Sequence, residues 1–67
     1  MDQIERVRSA EAAVEEARRL IRAQEAEVAR MKLAGVDFSR AETLLRAYKE
    51  GARLAEEHVI LVVRSFW

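Results

Sequence analysis

The triplet "EEH" at Glu56 to His58 sets the single histidine of the chain beside two carboxylates, and these residue types bind zinc and di-iron centres. Spacing argues against that chemistry. Helical carboxylate–histidine ligation needs Glu-x-x-His, which brings both ligands to one face, and position 55 is Ala55. Neighbouring residues on a helix point about 100° apart, so Glu56, Glu57 and His58 diverge. The chain has no cysteine to complete a zinc set. Neither a metal nor another cofactor is expected. The simpler place for His58 is the edge of a packed stripe, with one ring nitrogen toward solvent or Glu16.

Acid–base and nucleophilic chemistry meet similar obstacles. The doublets Glu15–Glu16 and Glu56–Glu57 resemble paired catalytic carboxylates, but adjacent acids on a helix diverge and each has an arginine within a turn. Glycoside chemistry also needs a cleft. Ser9, Ser39, Thr43, Tyr48 and Ser65 carry the hydroxyls, and a nucleophile among them needs a base within hydrogen-bond reach. His58 is remote from Ser39 and Thr43 in any helical hairpin, and Ser65 lies two turns along the same helix. No catalytic residue is assigned, and an enzyme is not expected.

Arg18, Arg19 and Arg22, with Arg30 and Lys32 further on, raise the question of an anionic partner. Glu15, Glu16, Glu25 and Glu27 interrupt the cluster and cancel much of its field. Twelve basic side chains balance twelve acidic ones for a formal charge of zero, without the basic face of a nucleic-acid binder. Nucleic acid is therefore not the expected partner. The start "MDQIERVRSA" lacks the apolar core of a secretion signal, and Val59 to Val63 is far shorter than the roughly 20 residues that span a bilayer. The cytoplasm is the expected compartment.

The elements that position these residues are helices. Proline is absent, glycine occurs twice, and 36% of the chain is charged, a composition suited to long helices. Turn chemistry concentrates in "LAGVDFSRAE". Gly35 suits the left-handed residue that closes a helix. Ser39 with Glu42 three residues on matches a Ser-x-x-Glu capping box, so Ser39 is the expected N-cap and Asp37 the competitor. One domain over residues 1–67 is predicted, with a first helix over about 2–34, a turn over 35–39 and a second helix over about 40–65.

Val7, Val14, Ile21 and Val28 recur every seven residues, each followed three later by Ala10, Ala17, Gln24 and Met31. This is a heptad seam, widened by Ala13 and Leu20. The second helix repeats it with Ala41, Tyr48, Ala55 and Val62 beside Leu45, Ala52, Val59 and Phe66. Leu44, Gly51 and His58 form a third row, in which Gly51 implies close helix contact. Glu15 and Arg19, like Asp2 and Arg6, stand four apart with the acid first, as helical ion pairs prefer. A short turn makes the helices antiparallel neighbours, setting Val28 near Leu45, Ile21 near Ala52, Val14 near Val59 and Ala10 near Val62.

The stretch "EAEVARMKLAGVDFSRAETLLRAYKE" resembles a group of small helical-hairpin proteins of alphaproteobacteria whose function is not established. The Ala-Gly-x-Asp turn, a hydroxyl residue two after the Asp, Ala-Glu and a Leu-Leu pair carry the resemblance, which covers about half the chain, from about Glu25 to His58. That group often has Thr directly after the Asp, where this chain has Phe38 and then Ser39. The resemblance implies a hairpin and supplies no activity.

The fold class expected is all-α: an antiparallel two-helix hairpin, a helical coiled coil, forming a four-helix bundle as a homodimer of open orientation. The tail "HVILVVRSFW" contributes Val59 and Val62 to the seam. Leu54, Ile60, Leu61, Val63, Phe66 and Trp67 exceed what one hairpin covers, so they mark the expected interface. The function that follows is a non-enzymatic protein–protein interaction or scaffold module. The alternatives are an adaptor whose apolar C-terminal end docks on another protein or on a membrane surface and, behind it, a nucleic-acid-binding helical protein.

Overall fold

A computed structural model describes residues 2–66. Two helices, α1 (Gln3–Ala34) and α2 (Ser39–Arg64), pack along their length as an antiparallel hairpin. The rod measures 51 × 14 × 14 Å. Its radius of gyration of 15.5 Å exceeds the roughly 11 Å of a compact domain of this length.

Each helix end has an identifiable cause. Asp2, in extended conformation, caps α1 by accepting the Glu5 backbone N–H at 2.8 Å, which satisfies one of the unpaired first-turn donors. Asp2 thus serves the backbone, and the expected pair with Arg6 is not made. At the other end Gly35 takes φ 70° and ψ 24°. Its N–H donates to the Lys32 carbonyl and that of Val36 to the Met31 carbonyl, both at 3.2 Å. These are the two bonds of a Schellman closure, which requires the left-handed residue that glycine adopts at least cost.

The start of α2 corrects the expected capping box. Ser39 is the first helical residue, and Asp37 Oδ1 accepts both its backbone N–H at 3.0 Å and its hydroxyl at 2.7 Å. Glu42 does not reach back; its carboxylate lies 4.0 Å from Lys32 Nζ across the hairpin. Phe38 occupies the N-cap position instead, half-buried at the head of the α2 seam, with Lys32 Nζ 5.0 Å from its ring centroid.

The heptad residues are the covered ones. From Val7 to Met31 on α1, and from Phe38 to Phe66 on α2, the residues alternating at spacings of three and four are buried or half-buried. Ala10, Val14, Val28 and Ala52 are the buried ones, and no side chain among the described residues is completely enclosed. Gln24 is the polar member of this seam. Its Nε2 donates to the Ala41 carbonyl at 2.9 Å, so a half-buried amide is satisfied while α1 is tied to the first turn of α2. Among the described residues no helix is long and apolar enough to cross a membrane.

Candidate functional site

Chemistry-bearing side chains lie apart. His58 is exposed and borders a shallow groove with Arg6, Ser9, Ala10, Ala13 and Val62. Its expected neighbour Glu16 is instead engaged by Arg19 at 2.9 and 2.5 Å. Among the described residues no group of three or more histidines and carboxylates gathers as a metal site. The glutamates are held by helical arginines at a spacing of three: Glu15 by Arg18, Glu16 by Arg19, Glu27 by Arg30 and Glu50 by Arg53. The expected Glu15–Arg19 pair is replaced by two shorter-spaced ones. Hydrogen bonds from the arginines hold the Glu16, Glu27 and Glu50 carboxyls below their ordinary range. A general acid at neutral pH needs the opposite shift.

Two sides of the hairpin differ in character. On one, Arg18 reaches Glu56 at 3.5 Å and Lys32 reaches Glu42 at 4.0 Å, so charges bridge the helices. On the other, Ala13, Ala17 and Leu20 of α1 face Ala47, Gly51 and Ala55 of α2 across an open groove. No ion pair among the described residues crosses it. Heptad geometry explains the split, because the residues flanking the seam on each side meet their counterparts in an antiparallel pair. One flank is bridged by charge, and the other is a mostly small and apolar groove that Glu16 and Tyr48 also line.

This placement corrects the reading of the third row. Leu44, Gly51 and His58 are exposed and widen the apolar side outward rather than filling the space between the helices. A Cβ built at Gly51 meets nothing within 4 Å. Close contact with α1 therefore does not explain this glycine.

Among the expected interface residues, Leu54 and Leu61 lie on the outward extension of this side, 52% and 63% exposed. Ile60 is 52% exposed and borders the charged side near Val59, Glu56 and Arg18. Val63 and Phe66 do find partners within the hairpin, a correction to their expected isolation. They are half-buried and line a groove at the open end with Ile4 and Val7 of α1. Trp67 lies outside the described residues. The turn and cap residues Gly35, Asp37, Ser39 and Glu42 gather at the closed end as described above.

Sequence reasoning missed three features. The Gln24 bond was signalled by a polar residue in an otherwise apolar heptad row. The Phe38–Lys32 contact had no spacing signal, because it joins the last turn of α1 to the loop. The third was the second seam of α2, in which Leu44, Ala47, Gly51, Leu54, His58 and Leu61 alternate at three and four. Its signal was legible only once Ala47, Leu54 and Leu61 were set beside the third row. Comparisons with protein-family models, curated proteins and solved structures return no match.

Proposed function

We propose that this chain is a non-enzymatic interaction module whose hairpins self-associate into a four-helix bundle. The observation that carries the proposal is the apolar surface left uncovered. Leu44, Leu54, Ile60 and Leu61 are 42% to 63% exposed, whereas among the described residues the buried ones are two alanines and two valines, Ala10, Val14, Val28 and Ala52. A chain of 67 residues without a cysteine to form a disulfide gains stability from packing beyond its own seam, and twofold pairing is the commonest form of oligomer.

Sedimentation equilibrium at micromolar concentration tests this. A species of twice the 7.7 kDa chain mass is expected. A single 7.7 kDa species throughout the concentration range rejects it.

The open-end groove favours a second reading, docking of a different protein against Ile4, Val7, Val63 and Phe66. A pull-down comparing the full chain with Phe66→Ser separates the two. A lost partner with self-association unchanged supports this docking, and unchanged capture by the variant removes it.

A further inference from the structure

The second seam of α2 specifies more than stickiness. Its positions 44, 47, 51, 54, 58 and 61 alternate at three and four residues, the period with which one helix meets another. They lie on the side of the hairpin that no cross-helix ion pair closes among the described residues. Gly51 stands at the middle of α2 with open space where a Cβ would be. A glycine inside a helix lowers its stability, and nothing within the hairpin offsets that.

We infer that a second copy of this chain docks along this seam with α2 antiparallel to α2, the twofold axis passing beside Gly51. The inference rests on the self-association proposed above. Reversing the seam about Gly51 sets Ala47 against the second copy's Leu54, small against large as interdigitation requires, and Leu44 against its His58. The two Gly51 backbones then approach without side chains between them.

Charge on the rim supports the same alignment. Arg46, Glu50, Arg53 and Glu57 alternate in sign beside the seam, and reversal places Arg46 opposite Glu57 and Glu50 opposite Arg53. Parallel alignment would instead set this rim against the seam's other edge, where Tyr48 and Ala55 stand, and leave these charges without opposite partners. Within one hairpin Arg53 serves both Glu50 and Glu57, while Arg46 donates to Thr43 Oγ1 at 3.3 Å and pairs with no carboxylate among the described residues. The leucines also argue for α2 against α2. The corresponding strip of α1 carries Ser9, Glu16, Ala23 and Arg30, with no leucine, where α2 carries Ala47, Leu54 and Leu61.

The absence of cysteine makes a direct test possible with the full chain. Under mild oxidation Gly51→Cys should cross-link with itself, and Ala47→Cys should cross-link with Leu54→Cys but not with itself. Leu33→Cys, at the far exposed tip, should give no cross-link. Gly51→Trp, whose Cβ would meet nothing within 4 Å in one hairpin, should keep its helical circular dichroism yet weaken the dimer about 100-fold or more by overpacking both copies at once.

Self-cross-linking of Ala47→Cys overturns the antiparallel alignment. A wild-type dimer that Gly51→Trp leaves unchanged, with no Gly51→Cys cross-link, overturns this seam while self-association stands. A wild-type chain that sediments only as a monomer overturns both.

Discussion

Asp37 holds the entry to α2 through one carboxylate oxygen that serves two donors of Ser39. Its removal leaves a first-turn N–H without a protein acceptor, whereas Ser39→Ala removes one hydroxyl and leaves the backbone bond intact. Asp37→Ala should therefore lower the urea midpoint more than Ser39→Ala, the reverse of what a Ser39 capping box would give. The pH dependence has a definite sign. The Ser39 hydroxyl and then its backbone N–H hold the Asp37 carboxyl below its usual range. Its contribution is thus complete above about pH 4 and declines as pH falls through the lowered folded-state value. Acid titration of wild type against Asp37→Asn should show that component missing in the variant. At Gly35 the positive φ is the constraint, and Gly35→Ala should cost about 1 kcal/mol in urea unfolding.

At the scale of elements, the two helices are held by the seam rather than by their many ion pairs. The cross-helix pair Arg18–Glu56 joins side chains that are each about half exposed, 52% and 51%, and such pairs contribute at most about 1 kcal/mol. Buried valines matter more. Val14→Ala and Val28→Ala should each cost about 2 kcal/mol, from lost apolar burial plus the space left behind. Leu33→Ala, at a position 91% exposed, should stay within about 0.5 kcal/mol of wild type. Thermal or urea unfolding of the three variants checks the contrast. Gln24 adds direction to this seam, because its amide bond to the Ala41 carbonyl is made in one alignment of the helices, much as a single polar residue sets register in coiled coils.

At the scale of the whole molecule, the hairpin is a 51 Å rod with a thin core. One side is bridged by ion pairs and the other carries a mostly apolar groove, the face on which the proposed self-association rests. If pairing supplies the missing burial, folding and association are linked by mass action. The thermal midpoint should then rise with chain concentration, measured by circular dichroism from low to high micromolar. A midpoint independent of concentration would separate the fold from its assembly.

The two helices, their turn and the covered stripe were legible in the sequence, because a seven-residue period and a glycine before a polar turn act locally and leave a periodic trace. Val7 to Met31 and Ala41 to Phe66 show that trace directly. The cap was not legible. Ser39 and Asp37 both offer an oxygen to the same turn, and the sequence pattern does not choose between them, whereas in the fold Asp37 accepts from Ser39 and Phe38 takes the N-cap position. Nor did periodicity show which way Gly51 faces. A residue one step outside the seam can turn toward the neighbouring helix or away from it, and only the packed pair of helices sends the row of Leu44, Gly51 and His58 outward. Val63 and Phe66 likewise found cover because folding brings Ile4 and Val7, some sixty residues away in the chain, to the same end of the rod. Local sequence determined the helices and the seam between them; the outer faces were decided only when the two helices met.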